Sequence, residues 1–345
     1  MEGPTAADQL LRIKNFEKGY VGLLIIRTGM ELGLFEAINE QQDGVTAAEL
    51  AQGLNLHEPY VYVWCTTAYH YELLDCVEED RFMLQPGLNE VLVHHESPRN
   101  YEANVKLTVD CMSKDMAEFP HYMRTGDVFA YQEHDSSLSE TVAESTRNLY
   151  AVLKDVVIPR VEGMQEEMER GVDVLEPGCG GGTLMIRLAE LYPHSRFTGV
   201  DVDRFGIERA RRAILKKGLE DRVCAELLGG DELSHQDEFD YVMMVVVLHE
   251  VKPEAREKLV ANCCRALKKG GRIVNVDFPY PAAIEEFRQV DFERGIFDQY
   301  REMIMGHQIL TRSQQETLIT DAGFRDLKRF SVGKGMFDVI IASKP

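Results

Sequence analysis

The chain has no CxxC pair, and its seven cysteines (65, 76, 111, 179, 224, 263 and 264) show no metal-ligand spacing. That argues against a cysteine-built metal centre, and no metal is expected. An odd, scattered set reads as reduced, buried thiols of a cytoplasmic protein. Long apolar runs are also missing. The longest, Tyr241 to Leu248, falls well short of the ~20 residues a membrane-spanning helix needs. The opening MEGPTAADQL lacks a basic stretch followed by an apolar one, so no secretory signal is expected. Basic residues are scarce, with 38 Lys and Arg against 58 Asp and Glu and a formal net charge of -20. Such a surface repels phosphate backbones and anionic lipid, so neither nucleic acid nor a membrane is an expected partner. Internal repeats and low-complexity tracts are absent as well.

What is present is enough for two ordinary domains: 345 residues, 44% hydrophobic and 28% charged. Residues 8 to 37 carry helical periodicity, broken by Gly44. Thr46 and Glu49 in VTAAELAQGL have the spacing of a capping box and open a short helix. A second helix is expected from about His57 to Tyr71. ELLDCVEEDRFMLQPG then reads as strand, turn, strand. Two helices followed by a hairpin is the order of a winged helix-turn-helix. Residues 28 to 95, however, hold twelve acids and one basic residue, Arg81, and the second helix has no Lys or Arg. Entry into a DNA groove without phosphate contacts is not credible, and the apolar face with Trp64 suggests protein packing instead.

Residues 96 to 170 read as mostly helical, with a loop from Gly126 to Ser139. After Gly171, short apolar runs alternate with amphipathic helices, the pattern of βαβ units and a mostly parallel sheet. The apolar interior of MMVVVL suits a central strand buried on both faces. A helix opening near Thr311 to Ser313 and two strand-like runs around Gly333 to Gly335 imply a terminal antiparallel edge hairpin. The expected domains are 1–95 (N-terminal helices and dimerisation), 96–170 (helical linker and lid) and 171–345 (catalytic).

The strongest signal is VDVLEPGCGGGTLMIRLA. A strand ends at Leu175, Glu176 and Pro177 follow, and Gly178, Cys179, Gly180, Gly181 and Gly182 lead into a helix. Glycines allow positive φ and close backbone approach to a ligand, and the helix start offers free N–H groups. Asp201, 25 positions after Glu176, ends the next strand, where an acid can accept both ribose hydroxyl protons. This geometry alone fits NAD or S-adenosylmethionine. The loop is G-x-G-x-G rather than G-x-G-x-x-G, an acid precedes it, and the tail forms a hairpin; all three favour the second cofactor.

On these residues the chain resembles the class I S-adenosylmethionine-dependent methyltransferases, whose first motif, acid-x-G-x-G-x-G, is matched by Glu176, Gly178, Gly180 and Gly182, with Cys179 inside the loop. Glutamate stands in place of the more usual aspartate. The resemblance implies a Rossmann-like seven-stranded α/β sheet behind a mainly helical N-terminal winged-helix domain. It also places Val202 beside an adenine and Asp231, or alternatively Glu232, near the adenine amino group. Phe239-Asp240-Tyr241-Val242 matches the opening of the family's fourth strand, and Leu267 to Gly271 the turn before its fifth. The first half is similar to the segment ahead of many small-molecule O-methyltransferases, which implies a homodimer.

Reacting groups are expected at the carboxyl ends of strands four and five. Strand four is expected to end in Leu248-His249-Glu250. His249 is the leading candidate for a base or an acceptor-positioning group; Glu250 is a second candidate or a helix N-terminal acid. Asp277, at the end of strand five, orients the acceptor or His249, or caps the next segment. Phe287, Phe292, Phe297, Tyr300, Met303, Met305 and His307 are core, or roof an apolar pocket together with Tyr20 and Arg27. Cys263-Cys264 reads as core. The expected activity is methyl transfer to a hydroxyl, or less readily to nitrogen, carbon or sulfur, of a small apolar or aromatic metabolite. Binding of the cofactor as a sensor without catalysis, and non-methyl chemistry with it, are the alternatives.

Overall fold

The computed structural model describes residues 3–78 and 80–345. They fall into two compact units, Met1–Lys114 and Asp115–Pro345, so the segment 96–170 is divided between them.

In the first unit, α1 (Ala6–Glu31) and α2 (Leu34–Asn39) precede β1 (Val45–Thr46), α3 (Ala47–Leu54), α4 (Glu58–His70), β2 (Leu74–Cys76) and β3 (Arg81–Leu84). The capping box at α3 is formed: Glu49 N donates to Thr46 Oγ1 at 3.2 Å and Thr46 N donates to Glu49 Oε2 at 2.8 Å. These bonds satisfy two of the donors a helix start leaves orphaned. β2 and β3 pair antiparallel, and β1 adds to the free side of β3. Glu79 lies outside the described residues. The core gathers Phe35, Ile38, Trp64 and Leu74. The rings of Phe35 and Trp64 meet edge to face at 5.4 Å, and the indole N–H donates to the Ile25 carbonyl at 3.0 Å, which satisfies the one polar atom of a buried Trp. Leu10, Leu11, Ile13, Phe16 and Tyr20 of α1 remain exposed.

The second unit is built on seven strands in the order β6-β5-β4-β7-β8-β10-β9: β4 (Asp173–Pro177), β5 (Arg196–Asp201), β6 (Val223–Leu227), β7 (Phe239–Val245), β8 (Leu267–Asp277), β9 (Arg325–Val332) and β10 (Phe337–Ser343). The first five run parallel, and β10 inserts antiparallel between β8 and β9. The sheet is the expected seven-stranded Rossmann-like one, and β9 is its edge. Successive strand residues face opposite sides. Val174, Met243 and Val274 join one apolar cluster, while Leu175, Met244 and Ile273 join the other. Burial on both faces explains why these strands read as unbroken apolar runs rather than alternating ones. Cys263 and Cys264 are buried in the second cluster, as core residues.

Two boundaries differ from the sequence expectation. β4 continues through Pro177 instead of ending at Leu175. β7 stops at Val245 rather than reaching Leu248 to Glu250. Val246 turns out of the strand at φ +60°, with its N–H donating to the Val276 carbonyl at 2.7 Å. A left-handed β-branched residue is rare, so the apolar run masks the break. The loop expected from Gly126 to Ser139 is also shorter. A helix, Ser136–Ser145, starts inside it, capped by Asp135, whose side chain accepts from Ser137 N.

Candidate active site

β4 and β7 are neighbours at the point where strand order reverses, and the space beyond their carboxyl ends is where open α/β sheets take ligands. A cavity of about 670 Å³ lies there, lined by the glycine loop, the ends of β5 and β7, and residues of the segment 130–150. Glu176, Gly178, Cys179, Gly180, Asp201, Val202, Asp231 and Glu250 all reach its wall; Gly182 and Glu232 do not.

The loop is shaped by backbone. Gly178, Gly180 and Gly182 have φ of +73°, +48° and +71°, values that side chains resist. A Cβ on Gly182 would stand 2.9 Å from both Ala210 Cβ and Met185 Cε, so the loop packs on the helix Arg204–Lys217 only because that side chain is missing. The amides of Gly178 and Cys179 both donate to the Val200 carbonyl, at 2.7 and 3.2 Å. Gly180 N and Asp203 N donate to the two oxygens of Asp201, each at 2.7 Å. These bonds fix the Asp201 carboxylate while each oxygen keeps a lone pair. Asn262 Nδ2 donates to the carbonyls of Gly230 and Asp231 at 3.2 and 2.8 Å, which holds the turn carrying Asp231. Ser139 Oγ donates to Asp203, and Arg209 Nη2 donates to Ser139 Oγ at 2.6 Å, so the helix Ser136–Ser145 is tied over the loop.

The electrostatics of this half call for a cation. Glu176 is 6% exposed, and burial, with Asp201 nearby, pushes its carboxyl up to about 8 against a pull downward from the Met185 amide. Burial raises Asp201 too, while the amides of Asp203 and Gly180 oppose the rise. Neither forms an ion pair with Lys, Arg or His among the described residues. Two buried acids without a counter-ion are costly, and a ligand with an ammonium and a sulfonium would relieve both. Burial also raises the Cys179 thiol, so it stays protonated and unreactive.

The other half is a cluster of acids and histidines. His249 is 1% exposed and does not line the cavity. Its Nδ1 donates to Asp277 Oδ1 at 2.6 Å, and its Nε2 faces Glu302 Oε2 at 3.5 Å and Glu250 Oε1 at 4.0 Å. Burial pulls the imidazole down, but the Asp277 and Glu302 carboxylates overcome it and hold the ring well above its ordinary value. Asp277 also accepts from Phe278 N at 2.8 Å, so it orients His249 and caps the chain leaving β8. The His249 carbonyl accepts from Gln308 N at 3.0 Å and Arg256 Nη2 at 3.1 Å, which pins the segment after β7. His307 does line the cavity, and its Nδ1 donates to Glu302 Oε2 at 2.9 Å. Burial raises Glu302, yet the two histidines more than reverse this and leave it well below the usual carboxylate range. Glu250 is pushed up to about 7 by burial in the cavity wall and by Glu302, against the pull of His249 and His307.

Glu302 was not singled out from the sequence. It lies 53 positions from His249, in a stretch whose visible pattern is aromatic. Of the aromatic and methionine residues there, only Met305 joins His307 at the cavity. Phe292 is core, while Phe287, Phe297, Tyr300 and Met303 are exposed, with Tyr300 stacked on Phe119 at 4.4 Å. Tyr20 and Arg27 belong to the first unit, where Arg27 pairs with Asp110 at 2.5 Å. The apolar side of the cavity comes instead from Tyr131, Val142, Leu149 and Tyr150.

A family model described as a methyltransferase domain matches residues 174–271. The chain is 22% identical over 357 residues to 3'-hydroxy-N-methyl-(S)-coclaurine 4'-O-methyltransferase 2 of Papaver somniferum, with 94% of each covered. Among solved structures it is similar to human N-acetylserotonin methyltransferase in complex with S-adenosylmethionine. The TM-score is 0.79 at 16% identity, covering 100% of this chain and 99% of that one. It is also similar to mitomycin 7-O-methyltransferase, with a TM-score of 0.76 at 18% identity and 98% of each chain covered. At these identities the structures speak for the fold, and the domain match speaks for the glycine loop and the strands around it. Residues 174–271 carry a methyltransferase domain, with the cavity at the carboxyl ends of its strands, and the chain is an S-adenosylmethionine-dependent methyltransferase.

Proposed function

We propose that the chain methylates a hydroxyl of a small, largely apolar or aromatic metabolite. The observation that carries this reading is the two-ended cavity, with the glycine loop, Glu176 and Asp201 at one end and Glu250 and His307 at the other. Tyr131, Leu149, Tyr150 and Met305 supply an apolar wall, which suits an aromatic ring better than a polymer. The names of similar proteins point the same way, since a coclaurine and a mitomycin O-methyltransferase are among them.

When bound, S-adenosylmethionine supplies a methyl group on a sulfonium and a thioether leaving group. The residues proposed to hold it are Glu176 at the amino-acid end, the amides of the glycine loop, Asp201 at the ribose, and Val202 with Asp231 at the adenine. The turn Gly230–Glu232 brings Glu232 beside Asp231, but only Asp231 faces the cavity. The remaining work is to hold the acceptor in line and take its proton. His307 and Glu250 are the groups that reach the cavity, and Glu302 orients His307 through Nδ1. That leaves His307 Nε2 as a lone-pair site toward the acceptor. His249, held by Asp277, stands behind them, with its Nε2 3.5 Å from Glu302 Oε2 and 4.0 Å from Glu250 Oε1. Release of tritiated methyl to a panel of phenols, alcohols and amines tests the reading. Turnover confined to amines would overturn the hydroxyl assignment.

The first unit is read as a winged-helix module that pairs with a second copy of the chain. Its exposed apolar residues on α1, Phe16 among them, support this, as does the shortage of basic residues for nucleic acid. Phe16→Glu is expected to shift the mass seen in light scattering from dimer to monomer; a monomeric wild type would end the proposal. No described helix is long and apolar enough to cross a membrane, and the seven cysteines are free thiols, which supports a cytoplasmic location.

A further inference from the structure

The helix Ser136–Ser145 covers the glycine loop with little core of its own. Of its ten residues, only Leu138 and Ser139 are buried. Ser139, Val142 and Ala143 face the cavity from one side, and Gly178 to Gly181 with Asp201 face it from the other. A cofactor held by Glu176 and Asp201 therefore lies between the loop and this helix. A polar knot fastens the helix down. Ser139 Oγ donates to Asp203 Oδ2 and accepts from Arg209 Nη2 at 2.6 Å. The same Nη2 donates to the Ser139 carbonyl at 3.1 Å. Ser139 and Asp203 are 4% and 9% exposed, and hydrogen bonds to charged groups are the strong ones. Asp203 joins the knot to the cofactor site. Its Oδ1 accepts from Phe205 N at 2.9 Å and caps the helix Arg204–Lys217, while its own N–H donates to Asp201 at 2.7 Å. Tyr131, in the apolar wall, meets Ser139 as well.

We infer that the segment Tyr131–Val152 is a lid over the cofactor, latched by Ser139, and that the cofactor enters and leaves when the latch opens. The far end of the segment is rooted in the core, where Leu153, Val157 and Ile158 are fully buried. Leu153–Val157 is a π-helical turn, a form concentrated at functional sites. Such gating concerns cofactor exchange, whichever acceptor is methylated. Every bond of the latch joins groups of the chain itself, so it favours the closed form equally with the cofactor in place or without it. Weakening it raises the open fraction in both states. Association and dissociation then quicken together, and the Kd hardly moves. A residue that merely supported Asp201 would act differently, since dissociation alone would quicken and the Kd would rise. Gly181 offers a second handle. Its φ is outside the left-handed region, and a Cβ there would stand 3.8 Å from Ala143 Cβ, the usual spacing across a disulfide.

Surface plasmon resonance of S-adenosylhomocysteine over the immobilised full chain reads both rates. Ser139→Ala is expected to raise association and dissociation by about 10–100-fold each, with little change in their ratio. The double variant Ala143→Cys with Gly181→Cys is loaded with tritiated S-adenosylmethionine and then oxidised, and mass spectrometry confirms the disulfide. It should keep its label through a chase with unlabelled cofactor and release it on reduction, while wild type taken through the same oxidation exchanges freely. Circular dichroism checks folding, and the crosslinked pair decides if Ser139→Ala unfolds. Unchanged rates in Ser139→Ala, faster dissociation with unaltered association, or exchange through the closed disulfide at the rate of the reduced protein would overturn the lid. Each of these results leaves the hydroxyl-methylation reading intact, since that reading stands or falls on the panel of acceptors.

Discussion

Replacing Glu176 with Gln is expected to make the cofactor-free protein more stable at pH 8 while weakening its hold on S-adenosylmethionine. Glu176 is almost fully buried, and its carboxyl is raised from an ordinary 4.5 to about 8 by burial and by Asp201. A raised carboxyl binds its proton more tightly in the folded chain than in the unfolded one. Its contribution is therefore complete below pH 4.5 and is lost as the pH rises through about 8. At ~1.4 kcal/mol per pKa unit the loss is on the order of a few kcal/mol. Glutamine has the same shape and no charge to bury, so Glu176→Gln should lack this fall. Saturating cofactor supplies the missing cation and should return most of the stability to wild type, and much less of it to the variant. Urea unfolding followed by circular dichroism between pH 4.5 and 8.5, with and without the demethylated cofactor, measures all four curves. Parallel curves for wild type and variant would show that Glu176 ionises as an ordinary surface acid, and the reasoning would fail.

Three further outcomes are expected. Asp201→Ala removes a carboxylate that the amides of Gly180 and Asp203 hold in place, and should cost about 1–3 kcal/mol of cofactor binding in isothermal titration; unchanged affinity would remove the ribose assignment. His307→Ala should lower kcat by on the order of 10²-fold without altering cofactor affinity, and full turnover would end its role as the acceptor-facing base. Gly182→Ala forces a side chain into φ +71° and against Ala210 and Met185; thermal unfolding should show a loss of about 1–3 kcal/mol, and an unchanged midpoint would mean the loop packs differently.

The cofactor half of the site is largely legible in the sequence because its parts are local. Glu176 to Gly182 is one strand–loop–helix corner, and Asp201 ends the adjacent strand, so the spacing already implies the geometry. The order of the sheet follows from alternating short apolar runs and helices. The acceptor half is assembled from three separate places: the turn after β7, the end of β8, and a segment beyond residue 300. Nothing periodic links His249 to Glu302. The apolar stretch through Leu248 hides the reversal at Val246, after which the His249 ring lies buried against Asp277 rather than in the cavity. His307 stands in a run of aromatic and methionine residues that looks like core, and only folding separates the two cavity residues from the rest. The wall around Tyr131 and Tyr150 falls in the segment expected to be helical linker and lid, and loop-rich helical segments carry no pattern that reveals which of their residues line a cavity.

The most direct measurement is a crystal structure of the chain with S-adenosylhomocysteine. The account predicts the amino-acid moiety at Glu176, the ribose hydroxyls on Asp201, the adenine beside Val202 and Asp231, and the sulfur directed toward Glu250 and His307. A nucleoside lying in the reverse sense, with its sulfur turned away from Glu250 and His307, would contradict it.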